Sequence, residues 1–272
     1  VSAKVSAGAD TFSSTGGATI FEQWWRPAGA VRAVLAICHG YAEHSGRYAQ
    51  VAVDLNERGY VVEALDLRGH GRSSGERVTV NSYDEFWDDL DAFLDRVRGR
   101  NPGAKLFLLG HSMGGGVVTS YVLARKPRLA GVLLSGAAML GPRPQPAAAA
   151  AAKAPQPLPA SAISRDPAIV EAYENDPLVY RGVRSPNAAQ ASARAYELVQ
   201  EKMGEIELPV LVMHGTDDLL VPFRGSEILF ERAASRDKTL KLYPGLYHEI
   251  LNEPERDQVV ADVAAWLDAR SG

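Results

Sequence analysis

The sequence predicts an α/β protein, with a mostly parallel central sheet flanked by helices. Three observations lead there. Short β-rich runs recur along the chain, and the middle ones are apolar almost throughout, as strands are when both faces of a parallel sheet are covered. Segments with apolar residues at helical spacing lie between them. Strand and helix alternate, are interrupted once, and then resume.

In order, the β-rich runs are ATIFEQWW (18–25), VRAVLAICHG (31–40), YVVEALD (60–66), AKLFLLG (104–110), AGVLLSG (130–136), LPVLVMHG (208–215) and KTLKLYPG (238–245). The helical segments fall at 47–58, 82–98, 114–125, 224–234 and 254–269. In the last, Val259, Val260, Val263, Trp266 and Leu267 recur on one face. The interruption covers 141–205. It begins with the Pro/Ala-rich stretch GPRPQPAAAAAAKAPQPLPA and continues as polar, helix-forming sequence. This divides the chain into a core, 1–140 with 206–272, and an insertion, 141–205, expected over the carboxyl edge of the sheet, where open α/β sheets bind ligands.

Composition narrows the function. With 272 residues and 46% hydrophobic content, the chain can bury one large core. Its net charge is −4 and no basic tract stands out, which argues against a nucleic-acid surface. No apolar run is long enough to span a bilayer. The first residues, VSAKVSAGADTFSS, lack the apolar core of a signal peptide, so a soluble, cytoplasmic protein is expected. The single cysteine, Cys38, rules out an intrachain disulfide and reads as a small buried strand residue.

The chemistry is concentrated at KLFLLGHSMGGGVVTS, residues 105–120. One hydroxyl, Ser112, stands where a strand run gives way to a helix. A tight turn there lifts the side chain above the sheet and aims the following N–H groups at developing negative charge. Such a turn crowds its neighbours, and Gly110 and Gly114 occupy the positions two before and two after the serine. A serine attacks only when a base takes its proton. In the order serine, acid, histidine, the base must lie downstream of Ser112. Of the two downstream histidines, His248 follows the last strand run on a loop, whereas His214 ends a strand and reads as a satisfied structural residue. The acid is expected on the loop after LPVLVMHG, at Asp217 or Asp218, which spacing does not separate. Two backbone donors are expected for the oxyanion: Met113, after the nucleophile, and Tyr41, after the His39-Gly40 strand end. This chemistry needs neither metal nor cofactor.

HGYAEHSGRY, ALDLRGHGRSSG, GHSMGGG, AISRDP, YENDPLVY, HGTDDLLVP and YPGLYHEILNEPER together make the chain, from about 18 to 269, similar to the monoacylglycerol lipases of the α/β-hydrolase superfamily, bacterial members especially. The resemblance implies the α/β-hydrolase fold, an eight-stranded sheet with a cap, and cleavage of a small lipid ester to fatty acid and glycerol. It puts the acid on Asp218. It also implies that Glu43, Arg47 and the cap residue Tyr173 form the polar end of the site near the glycerol. Asp66, Arg68 and His70, in DLRGHGRS, read as scaffold. In one respect the chain departs from these lipases. Residues 141–160 carry few large aliphatics, and alanine buries little area, so membrane contact through the cap should be weak and transient.

Overall fold

The apolar runs become strands because their side chains alternate between two cores. On β3 (Ala33–Cys38), Val34, Ala36 and Cys38 enter one hydrophobic cluster, while Ala33, Leu35 and Ile37 enter the other. The period of two along a strand requires an uninterrupted apolar run wherever both faces are covered. The computed structural model describes residues 6–139 and 158–272. Its remaining strands are β1 (Ser6–Ser13), β2 (Thr19–Arg26), β4 (Tyr60–Leu65), β5 (Leu106–His111), β6 (Gly131–Ser135), β7 (Val210–Gly215) and β8 (Lys238–Tyr243).

The eight strands form one sheet in the order β1-β2-β4-β3-β5-β6-β7-β8. β2 pairs antiparallel with β1 and with β4. Every other pairing is parallel. This is the mostly parallel α/β-hydrolase sheet. β1 was not expected from the sequence, because only Phe12 within it is buried. It is held by backbone pairing with β2 over its whole length. The same edge hides two charges on strands that read as apolar or mixed. Glu22 and Glu63 are fully buried; Arg100 bonds both, at 2.6 and 2.8 Å to Glu22 and 2.9 Å to Glu63, and Arg96 supplies a second cation to Glu22 at 2.7 Å.

The helices α1 (Ala49–Asn56), α2 (Tyr83–Arg100) and α3 (Met113–Arg125) follow β3, β4 and β5. Between β6 and β7 the described chain adds α4 (Pro167–Asn175) and α5 (Pro186–Lys202). Both start alike: Asp166 and Ser185 accept a hydrogen bond from the first-turn N–H groups, and a proline occupies the first turn. α5 packs on α3 through small buried residues, including Ala188, Ala191 and Ala195. The fold closes with α6 (Arg224–Arg232) and α7 (Arg256–Ser271). The Pro/Ala-rich stretch up to residue 157, on which the expectation of weak membrane contact rested, lies outside the described residues. Among the described residues, no helix is long and apolar enough to cross a membrane.

Candidate active site

Ser112 sits between β5 and α3 with φ 52° and ψ −120°, a conformation that L-residues rarely adopt. The glycines around it are demanded by proximity. A Cβ on Gly110 would lie 2.5 Å from the Gly114 carbonyl oxygen, and one on Gly114 would lie 2.3 and 2.4 Å from the carbonyl oxygens of His39 and Cys38. The first turn of α3 therefore rides directly against the ends of β5 and β3. Four backbone bonds fix the serine. Its N–H donates to Ser135 O at 2.9 Å, and its own carbonyl accepts from Gly115, Gly116 and Ala138 at 3.0, 3.3 and 3.0 Å.

His248 and Asp218 meet there. His248 Nδ1 lies 2.6 Å from Asp218 Oδ2, and His248 lines the same cleft as Ser112. Asp218 is surrounded by donors. Its Oδ1 accepts the N–H groups of Leu220 and Val221, both at 2.8 Å. Its Oδ2 accepts His214 Nε2 at 3.0 Å in addition to His248. The Val221 carbonyl, 3.0 Å from the same His214 nitrogen, can only accept, so Nε2 carries the proton and Nδ1 accepts from Ser226 Oγ at 2.7 Å. Burial alone would raise the Asp218 carboxyl. The bonds from His214 and His248 outweigh burial and hold it well below the usual carboxylate range. Asp217, the other candidate acid, is exposed, and among the described residues its carboxylate accepts a bond only from its neighbour Thr216. In this conformation the acid–base bond is closed, whereas no hydrogen bond joins the Ser112 hydroxyl to His248.

Tyr41 and Met113 flank the serine, and neither backbone N–H finds an acceptor among the described residues. His39, two residues before Tyr41, is a scaffold residue. Its Nδ1 donates to Gly40 O at 2.8 Å, and its Nε2 accepts the Leu67 N–H at 2.9 Å. Asp66 and Arg68 are likewise occupied: Asp66 accepts from Ser45 and the Arg72 N–H, and Arg68 pairs with Asp89 and Glu85.

Glu43, Arg47 and Tyr173 come together as expected, but with a fourth member. Arg47 bonds Glu43 Oε2 at 3.0 Å and grips Glu249 with two bonds of 2.5 and 2.7 Å. Its guanidinium lies 4.8 Å from the Tyr173 ring centre. Glu43 Oε1 also accepts the Gly40 N–H at 2.7 Å and the Tyr48 hydroxyl at 2.9 Å. Burial would raise the Glu43 carboxyl, yet Arg47 beside it brings it down to about 2. Burial, assisted by His248, lowers the neighbouring His111 to about 4, so that ring is neutral at pH 7. Glu249 was missed in the sequence because its partner, Arg47, lies 202 positions away. Two further contacts escaped in the same way. His44 Nε2 bonds Asp176 at 2.8 Å, and the Tyr180 N–H donates to Ala42 O at 2.9 Å, tying the segment after α4 to the loop that holds Tyr41.

The cleft joining these groups is narrow in this conformation, with a cavity volume of about 20 Å³. Its lining includes Glu43, Tyr173 and Glu249 together with the aliphatic side chains of Leu158, Ile163 and Leu220, of which Ile163 and Leu220 cluster with Tyr173.

The chain is 39% identical to the monoacylglycerol lipase of Mycolicibacterium smegmatis, over 94% of this chain and 95% of that protein. It is 32% identical to the human monoglyceride lipase, over 94% and 88%. The crystal structure of a soluble variant of the Saccharomyces cerevisiae monoglyceride lipase, in complex with a substrate analog, superposes with a TM-score of 0.84 at 26% identity, covering 97% of this chain and 95% of that one. Residues 29–255 match the family described as serine aminopeptidase, S33, and the chain belongs to that family of α/β-hydrolases.

Proposed function

We propose that this protein hydrolyses monoacylglycerols to fatty acid and glycerol through an acyl-enzyme. Ser112 attacks the ester carbonyl as His248 Nε2 takes its proton. Asp218 holds the imidazole with Nδ1 protonated and stabilises the imidazolium. The N–H groups of Tyr41 and Met113 receive the oxyanion, each worth about 3 kcal/mol in comparable chemistry. His248 then returns its proton to the departing glycerol oxygen. Water, activated by the same ring, attacks the acyl-enzyme and releases the fatty acid. The polar wall of Glu43 and Tyr173, held from behind by Arg47, faces the glycerol, and the aliphatic side chains receive the acyl chain. Residues 141–205 act as the cap over this cleft. The enzyme works in the cytoplasm, at most transiently at a membrane surface.

The observation carrying this reading is the 2.6 Å bond between His248 and Asp218 in the cleft that Ser112 lines. The lipase relatives at 39% and 32% identity support the substrate class. A Ser112→Ala variant should fold, lose labelling by a fluorophosphonate probe, and lose hydrolysis of 1-oleoylglycerol by several orders of magnitude. Turnover retained in that variant would remove Ser112 from the mechanism. A hydrolysis profile over monoacylglycerols, a triacylglycerol and short p-nitrophenyl esters separates the lipase from a general carboxylesterase or lysophospholipase. One observation favours a second reading. The charged residues lining the cleft, Glu43 and Glu249, are both carboxylates and would suit the ammonium group of a peptide substrate, so leucine p-nitroanilide belongs in the same profile.

A further inference from the structure

The charge balance around Arg47 does not close. One guanidinium faces two carboxylates, Glu43 and Glu249, and all three side chains are 10% exposed or less. Both carboxylates line the cleft, whereas Arg47 stands behind them and does not. The histidine beside them, His111, brings no compensating charge, since burial keeps it neutral at pH 7. Two cations stand near on the cap side, Arg184, 5.6 Å from the Tyr41 ring centre, and Arg181, which donates to the Tyr173 carbonyl at 2.6 Å, and neither is among the lining residues. The two carboxylates are the charged groups that line the cleft itself, with the cations set behind the lining, so the surface met by the departing alcohol is negative.

An ester entering this cleft has an apolar acyl part and a polar alcohol part. The aliphatic surface of Leu158, Ile163 and Leu220 suits the first, which leaves the carboxylate wall for the second. A glycerol hydroxyl can donate to a carboxylate oxygen. A phosphate or a second carboxylate on the alcohol can only be repelled there, in a site with little water to screen the repulsion.

We propose that Glu249, acting with Glu43, determines specificity by charge: the site takes esters of uncharged alcohols and rejects esters whose alcohol carries a phosphate. This rests on the ester-hydrolase reading above and decides, within it, between monoacylglycerols and anionic lysophospholipids. It also explains why the wall holds one carboxylate more than Arg47 needs.

The test compares 1-oleoylglycerol with 1-oleoylglycerol 3-phosphate, both carried in the same neutral detergent micelles, for the wild type, Glu249→Gln and Glu43→Gln. The quantity read is the ratio of the two kcat/KM values. A loosened fold or a displaced His248 lowers both rates together and leaves that ratio unchanged, so a purely structural role for Glu249 would not move it. The wild type should prefer the neutral lipid strongly. Removing one unit charge at about 6 Å, at an effective dielectric near 20, should reduce the preference by roughly a hundredfold for each unit of charge on the phosphate, so by at least that factor, and either variant should show the effect. Equal rates on the two lipids in the wild type, or an unchanged preference in both folded variants, would overturn the charge-selection proposal while leaving the hydrolase intact. A wild type inactive on both lipids would overturn the parent reading and this one with it.

Discussion

Replacing Asp218 by asparagine removes one charge and changes almost no volume, yet the site has no place for the new amide. Four donors converge on the carboxylate: two backbone N–H groups on Oδ1 and two histidines on Oδ2. An asparagine offers one oxygen and one NH2 group. With the NH2 toward Leu220 and Val221, donor meets donor twice and two buried hydrogen bonds are lost. With the NH2 toward the histidines, His248 can bond only as an acceptor at Nδ1. Its proton then moves to Nε2, which no longer has a lone pair for the Ser112 hydroxyl. The first arrangement costs stability, and the second costs the base. We expect a loss of about 3 kcal/mol in unfolding free energy and a fall in kcat of about 10⁴, with KM little changed.

Steady-state hydrolysis of a short p-nitrophenyl ester and urea denaturation read the two effects separately. Asp217→Asn is the matched control. Its carboxylate is exposed and, among the described residues, bonds only Thr216, so its stability should stay within about 0.5 kcal/mol of wild type. Acid sharpens the comparison. The Asp218 carboxyl is held below its ordinary range in the fold. Its contribution is therefore complete above the unfolded-chain value of about 4 and fades as the pH falls below that. The stability gap between wild type and variant should narrow in the same window. An Asp218→Asn enzyme within tenfold of wild-type kcat, or an Asp217→Asn enzyme that is the slower of the two, would show that the acid has been misassigned.

The other predictions concern the supports of the site. Gly114→Ala places a Cβ 2.3 Å from the His39 carbonyl and 2.4 Å from that of Cys38, neither of which can swing away. We expect a loss of about 1–3 kcal/mol or more from overpacking. We also expect kcat to drop roughly 10²–10³-fold as the strand end leading to Tyr41 is displaced; a native melting midpoint with a native rate would contradict the crowding argument. His214→Leu leaves Asp218 Oδ2 with a single histidine donor, and kcat should fall roughly tenfold to a hundredfold at constant KM. His214→Gln, whose amide can reach the same oxygen, should recover part of that loss. Equal rates for the leucine and glutamine variants would mean that His214 serves only as packing.

Much of the fold was legible because burial leaves a periodic trace. Strands β3 to β7 lie between two cores and had to be apolar at every position or nearly so. β1 left no such trace, since it is held by hydrogen bonds to β2 and exposes most of its side chains. The hinge at Ser112 was legible for a different reason: close backbone approach forces glycine at fixed offsets, and an offset survives in a sequence. The choice between Asp217 and Asp218 was not contained in spacing. Adjacent residues on a turn face different ways, and the folded chain separates them: Asp218 turns inward to the Leu220 and Val221 N–H groups and to His248, while Asp217 faces solvent. Glu249 and His214 were illegible as site residues because their roles come from pairings through space, and a charge on a loop or a histidine at a strand end reads as bland until its partner is known.

The strain at Ser112 ties these levels together. A non-glycine residue at φ 52°, ψ −120° costs on the order of 1–3 kcal/mol and persists only where its surroundings over-determine it. Here the N–H is held by Ser135 at the end of β6, and the carbonyl by the first turn of α3 and by Ala138. Those bonds exist only if β5 and β6 are in register and α3 lies close against the sheet, which in turn requires Gly110 and Gly114. Changes that loosen the sheet edge or the helix start therefore relax the serine before they unfold the domain. Activity should be lost at a lower denaturant concentration than the sheet itself, because the nucleophile is held in a strained backbone conformation.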